Sequence, residues 1–339
     1  MESHTLEMTG LPPFPDNIPI ATLPCLSLER LVARNSGEIQ RLVHACEEVG
    51  LFYLDLRDVS LASKVLGDVD QLFQTAVELF DLPLAEKQAY DFSSQNSHFG
   101  YKAQGAELVD QQGNVDRNEF YNLPRNDLLG MTDPLPTPDV LKHRRGTLQS
   151  LARTCHSIAG VLLEHLNTSL GLGQSKLLDL HRLDAPSDDI IRLIKAPKQP
   201  VDDHRVALAE HTDYGSITLV FNRLGGLQVL PPGPDSQWLY VKPMPNTVIV
   251  NIGEAMVKLT NGLLKSSFHR VVPPPGDQAR FPRYSVVYFC RPNNDVLLRS
   301  IAGDNRIPDP DPSEEAEAIT SKEWVFQGWL ARRAKPCSI

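Results

Sequence analysis

The second half of the chain is broken into short runs of branched and aromatic residues, and that pattern limits the fold more than any other feature. Ile190–Ile194, Ser216–Phe221, Leu227–Leu230, Trp238–Val241, Thr247–Ile252, Ser267–Val272 and Tyr284–Cys290 are separated by Gly, Pro and Asn. Runs of this kind, spaced roughly 8 to 12 residues apart, belong to a β-sandwich or barrel, the double-sheet jelly roll included. The first half reads differently. Asn35 with Glu38 three residues on has the form of a capping box before Ile39, Leu42, Val43 and Cys46, and Gly50 stops that helix. Leu51–Leu54 reads as a strand. Further helical stripes are Leu66, Val69, Leu72, Phe73, Ala76, Phe80 and then Leu148, Leu151, Ala152, Cys155, Ala159, Leu162, Leu166. Between them, Asp91 to Pro138 is irregular and rich in Gly, Asn, Asp and Pro, and a segment that long is more often functional than idle. Asp309–Glu317 reads as a solvated acidic loop and Trp324–Ala334 as a closing helix. The expected class is α+β. A mostly helical region (1–170) packs on a jelly-roll region (171–339), the two forming one compact unit with no internal repeat.

Composition removes several function classes. With 339 residues and 41% hydrophobic content the chain can bury a sizeable core. A net charge of −9 argues against nucleic acid or an anionic membrane as the main partner. No apolar run is long enough to span a bilayer, and Met1–Gly10 lacks the pattern of a secretory signal. Five scattered cysteines without a C-x-x-C favour core thiols in a reducing, cytoplasmic setting over disulfides or a zinc-thiolate site.

Chemistry concentrates around one histidine. Of 10 histidines, His211 has a carboxylate two residues on, in His211-Thr212-Asp213. Positions i and i+2 of a strand project to one face, so the two side chains can share a metal. His269, in the strand-like Ser267–Val272, is the candidate third ligand; taken by itself it reads better as a half-buried strand residue satisfied by a backbone group. Two His and one carboxylate with an open opposite face form the facial triad of non-haem Fe(II) oxygenases. Arg283 and Ser285 repeat the i, i+2 spacing. An arginine fork beside a hydroxyl suits a carboxylate such as the distal end of a 2-oxo acid, the alternative being a salt bridge to a nearby acid.

These segments together resemble a known family. His211-Thr212-Asp213-Tyr214-Gly215-Ser216, Gly225-Gly226-Leu227, Pro245-Asn246-Thr247-Val248-Ile249-Val250-Asn251-Ile252-Gly253-Glu254, Thr260-Asn261-Gly262 and His269-Arg270-Val271-Val272 resemble the iron-site region of the isopenicillin N synthase-like 2-oxoglutarate/Fe(II)-dependent dioxygenases. Cys46-Glu47-Glu48-Val49-Gly50-Leu51-Phe52, Leu79-Phe80-Asp81-Leu82-Pro83 and Glu119-Phe120-Tyr121-Asn122 extend the likeness from about Ile18 to Leu330. The pattern is closest to fungal-type members, thymine hydroxylase and secondary-metabolite dioxygenases among them.

The resemblance implies a distorted double-stranded β-helix with flanking N-terminal helices and a C-terminal helix. It implies Fe(II) held by His211, Asp213 and His269, 2-oxoglutarate held by Arg283 and Ser285, O2 as oxidant, and ascorbate as a candidate reductant. It points to Arg192, Tyr214 and Phe289 for the substrate, with Phe99 and Tyr121 joining them from an irregular lid; for Tyr214 and Phe289 plain core packing is the competing reading. Asn251 is a candidate contact to co-substrate or substrate. The expected activity is oxidation of a small, ring-bearing metabolite (hydroxylation, desaturation, cyclisation or ring rearrangement), with one cation in the substrate site and no cluster of charges. A 2-oxoglutarate-independent oxidase of the isopenicillin N synthase type is the second reading, a non-catalytic receptor the third. Where plant-type members carry Asn-Tyr-Tyr-Pro after the Arg-Leu pair, this chain has Ile194-Lys195-Ala196-Pro197, which leaves the co-substrate without polar help from that strand.

Overall fold

Period-two runs become sheets and period-3.6 stripes become helices in the computed structural model, which describes residues 10–109, 113–199, 206–233, 236–303, 306–310 and 318–332. Strands are numbered along the chain. The larger sheet holds eight, in the order β1 (Cys25–Ser27), β2 (Leu51–Asp55), β10 (Thr247–Ile252), β7 (Ile217–Asn222), β12 (Arg283–Cys290), β5 (Ile190–Ala196), β4 (Glu119–Pro124), β3 (Gly100–Lys102). The smaller sheet runs β6 (Leu208–His211), β11 (Phe268–Val271), β8 (Leu227–Leu230), β9 (Leu239–Tyr240). The two sheets with flanking helices make the α+β jelly-roll architecture expected of the sequence.

Alternation sets what each face of the larger sheet meets. Phe52, Leu54, Ile191, Leu193, Ile217, Leu219, Phe221, Val248, Val250, Val286 and Tyr288 share one buried cluster with helices Ser36–Glu48, Val65–Asp81 and Arg145–Ser169. The alternate residues turn toward the smaller sheet, where Leu51, Tyr53 and Ile249 pack on Leu227, Val229 and Val241. The helical stripes are buried as their spacing predicts, and Cys46, Cys155 and Cys290 lie in this core. The Asn35 side chain accepts from Glu38 N at 3.0 Å. Half of the expected capping box is missing, because the Glu38 carboxylate accepts from Ser27 N at 2.6 Å and ties the helix to β1.

Three expectations change. The first half, read from sequence as mostly helical with one strand at Leu51–Leu54, contributes four strands, β1 to β4, to the larger sheet. The irregular segment contains β3, β4 and the helical turn Arg125–Leu128; its residues 110–112 lie outside the described ones. The closing helix runs Ser321–Arg332, while Met1–Thr9, most of the acidic loop (311–317) and Cys337 are outside the described residues. Among the described residues no helix is long and apolar enough to cross a membrane.

Candidate active site

Directly paired residues on adjacent strands share a face, so the register lays out the inner surface of the larger sheet row by row. One row carries Asn122, Arg192, Val287, Val220 and Ile249. Above it lie Ile190, Phe289, Thr218 and Asn251; below it Phe120, Ile194, Ser285 and Asn222; and Arg283 opposite Ala196 ends the series. Polar groups on a buried surface need partners, and here they define the site.

At the Asn251 end the smaller sheet delivers three donors. His269 on β11 pairs directly with His211 on β6, placing their rings 4.2 Å apart between centroids. β6 ends at His211, so Asp213 stands just beyond the strand rather than on it. His211 Nε2 lies 3.8 Å and His269 Nε2 3.9 Å from Asp213 Oδ1. These gaps are too long for hydrogen bonds, yet each is under twice a metal–ligand distance of about 2.1 Å. The Nδ1 atoms are turned outward, 2.8 Å from the Ala209 carbonyl and 3.0 Å from that of Ser267, which leaves both Nε2 atoms for the centre. Asn251 Nδ2 donates to Asp213 Oδ2 at 2.8 Å and fixes the carboxylate. Burial opposes charge on Asp213, but His269, His211 and that amide outweigh it and hold the group down at about 2. A second cluster, His156, Asp189 and Cys290, also gathers possible ligands. Its carboxylate is already taken by Arg291 N, Tyr288 OH and the Arg125 guanidinium, so it reads as an internal ion-pair network.

Arg283 is 3% exposed and, among the described residues, faces no acid within ion-pair distance. Its Nε donates to the Gly225 carbonyl at 2.8 Å and its Nη1 to Ser285 Oγ at 2.7 Å. Burial lowers its pKa to about 10, which leaves it charged at neutral pH. The salt-bridge alternative has no support here, and a buried guanidinium without a counter-charge is a receptor for an anion. Gly226 makes the close approach workable. It adopts φ +101°, and a Cβ would sit 2.5 Å from the Val272 carbonyl. Ile194, opposite Ser285, offers only an apolar wall, and Lys195 turns away to Asp81. The polar neighbour of Ser285 is instead Asn222, on the other adjoining strand.

Next to the three donors is a cavity lined by His98, Glu107, Phe120, Arg192, Tyr214, Phe289, Arg291, Val325, Trp329 and Arg332, among others. Arg192, Tyr214 and Phe289 therefore meet around one space. Arg192 packs 4.1 Å from the Phe120 ring centroid and 5.0 Å from that of Phe289, with Nε bound to Asn122 Oδ1 at 2.7 Å. The Tyr214 hydroxyl donates to the Gly328 carbonyl at 3.3 Å, so its ring both lines the cavity and anchors the last helix. Phe99 packs behind Phe289. Tyr121 does not join them: alternation along β4 sends it to the helix side, where it lines a separate cavity, and Phe120 takes the expected place. The expectation of a single cation also fails, because Arg291 and Arg332 share the space with Arg192.

Sequence reasoning missed Arg291, Arg332, Phe120, His98 and Glu107, although two signals were present. Arg291 continues the inward parity of Ser285, Val287 and Phe289. Val325, Trp329 and Arg332 fall at i, i+4 and i+7, one face of a helix.

Comparison with known proteins identifies the family. The 2OG-Fe(II) oxygenase superfamily model matches residues 187–292, and the N-terminal model described as non-haem dioxygenase in morphine synthesis matches residues 23–140. A 2-oxoglutarate-dependent dioxygenase of Aspergillus fumigatus is 33% identical, over 95% of this chain and 91% of its own. One from Glarea lozoyensis is 31% identical over 83% of each chain. A Neurospora crassa thymine hydroxylase, solved with alpha-KG and thymine, superposes with a TM-score of 0.75 at 27% identity, covering 91% of this chain and 96% of that one. The chain belongs to the 2OG-Fe(II) oxygenase superfamily and is an oxidoreductase of the Fe(II)- and 2-oxoglutarate-dependent dioxygenase kind.

Proposed function

We propose that the protein oxidises a small, ring-bearing metabolite, with Fe(II) held by His211, Asp213 and His269 and 2-oxoglutarate held by Arg283 and Ser285. The observation that carries this is the pairing of three converging donors, presented by and beside the smaller sheet, with a buried arginine of the larger sheet that faces no acid among the described residues. The donors fit a ferrous ion in kind and number: two neutral imidazoles and one carboxylate. When bound, the ferrous ion supplies the redox chemistry by which O2 splits 2-oxoglutarate to succinate and CO2 and one oxygen atom is spent on the substrate.

The chain's own residues do the rest. The Ala209 and Ser267 carbonyls fix the ligand tautomers, and the Asn251 amide aims Asp213. Arg283 and Ser285 orient the co-substrate while Ile194 and Val287 keep its surroundings dry. Arg192, Tyr214 and Phe289 receive the substrate. Flat faces at Phe120 and Phe289 suit a ring, as does the thymine carried by the Neurospora relative. The reading keeps ascorbate as reductant and a cytoplasmic location.

The test is succinate release from 2-oxoglutarate by the Fe(II)-loaded protein, stimulated by a ring-bearing substrate. O2 consumption with a substrate but without 2-oxoglutarate would instead favour the isopenicillin N synthase type of reaction.

A further inference from the structure

The cavity beside the metal ligands holds three guanidiniums, and among the described residues none of them makes an ion pair. Arg192 is pinned by Asn122 and flanked by Phe120 and Phe289, and among the described residues its two terminal nitrogens have no hydrogen-bond partner beyond these contacts. Arg332 stacks 4.6 Å from the Tyr214 ring centroid and donates one nitrogen to the Thr212 carbonyl at 3.1 Å. Arg291 donates to the Asp188 carbonyl, and its Nε is buried without a partner. Each cation is thus held in place on a carbonyl, an amide or a ring, with donors left over. Stacked and tied guanidiniums have already given up most of their side-chain freedom, which favours recognition of a planar anion.

The charge balance points the same way. On the metal side, a ferrous ion and Arg283 offset Asp213 and a dianionic co-substrate. On the cavity side, Asp188 sits beside Arg291, and Asp189 is matched by Arg125. Arg192 and Arg332 remain against Glu107 alone. Burial brings the Arg192 pKa down to about 10; the charges of Glu107 and Asp213 hold it up, and those of Arg291 and Arg332 add to the fall. Among the described residues, this side of the cavity is one negative charge short.

The co-substrate cannot fill the gap while it sits at Arg283. Arg283 pairs with Ala196, four residues along β5 from Arg192, about 13 Å at the rise of a strand. The two cationic sites are separate.

We infer that the substrate is a monocarboxylate on a flat ring system, its carboxylate bound between Arg192 and Arg332 and its ring against Phe289 and Phe120. This inference rests on the 2-oxoglutarate reading and narrows its substrate class. A neutral ring such as thymine would leave the charges unmatched here.

Calorimetric titration of the protein loaded with Fe(II) and 2-oxoglutarate, without O2, tests it. The probes are phenylacetate, cinnamate and 2-naphthoate, each beside its primary amide. At least one acid is expected to bind tenfold or more tightly than its amide. Arg192→Gln and Arg332→Gln should each remove that preference, and Arg332→Lys should recover part of it. Equal affinity for acid and amide, no binding of any acid at millimolar concentration, or an undiminished preference in Arg332→Gln overturns the inference. Failure of the unsubstituted protein to bind 2-oxoglutarate, measured first, would instead sink the reading beneath it.

Discussion

Asp213, His269 and Arg283 carry the sharpest predictions at the scale of single residues. Asp213→Ala or His269→Ala removes one of three metal ligands, so turnover should fall below about a hundredth while the fold persists. Circular dichroism and metal content measured together separate loss of iron from loss of structure. For Arg283→Ala, the apparent KM for 2-oxoglutarate should rise steeply, since breaking one side of a buried charge pair costs about 3–5 kcal/mol. Arg283→Lys keeps the charge but loses the fork and should fall between. An unchanged KM in Arg283→Ala, with weaker binding of the main substrate, would move the arginine to the substrate. Arg192→Ala should raise the KM for the substrate far more than that for 2-oxoglutarate. The ligand set was legible because its spacing is local: Arg283-x-Ser285 declares a shared strand face, and His211-x-Asp213 keeps its two ligands together although Asp213 lies just past the end of β6. Tyr121 was misjudged for the same kind of reason. Its motif named the segment, but only the register of β4 on β5 decides which of Phe120 and Tyr121 points inward.

Among the elements, the last helix does most that the sequence did not announce. Ser321–Arg332 reads as an ordinary closing helix, yet Trp324 Nε1 donates to the Tyr214 carbonyl at 3.1 Å and Arg332 to that of Thr212, between two metal ligands. Gly328 lets it dock, since a Cβ there would collide with the Tyr214 ring. Gly328→Ala would gain about 1 kcal/mol in helix propensity in isolation. Overpacking of about 1–3 kcal/mol should outweigh it, lowering the thermal midpoint and raising the substrate KM. A raised midpoint with unchanged KM would show the contact to be loose. The junction of β5 and β12 is held by Asp189, fully buried against Arg125, Tyr288 and the Arg291 backbone. Burial pushes its pKa up, but the His156 and Arg125 contacts prevail and hold it down at about 2. A folded value below the ordinary carboxylate value means stabilisation that is complete above about pH 4 and lost as pH falls toward 2, roughly 2 kcal/mol in all. Asp189→Asn should therefore unfold more readily at neutral pH and show a flatter acid limb in a pH series of denaturation midpoints.

Over the whole molecule, the rhythm of the second half foretold a double sheet, and the helical stripes foretold which faces meet it. What stayed hidden was long-range. β1 to β4 join the same sheet as strands from the far end of the chain, and short segments such as Gly100–Lys102 become strands only because a partner lies alongside. The substrate cavity is hidden for a similar reason, since it draws on β4, β5, the end of β12 and the last helix. Its electrostatics follow from that assembly and from no single motif. The central claim is that this assembly turns over 2-oxoglutarate through the metal ligands. The most direct measurement compares succinate release from 2-oxoglutarate by the unsubstituted protein and by His269→Ala, each with and without added Fe(II). The account predicts iron-dependent release from the first, abolished by a chelator and restored by Fe(II), and almost none from the second. Equal release from both proteins with added Fe(II) would contradict it.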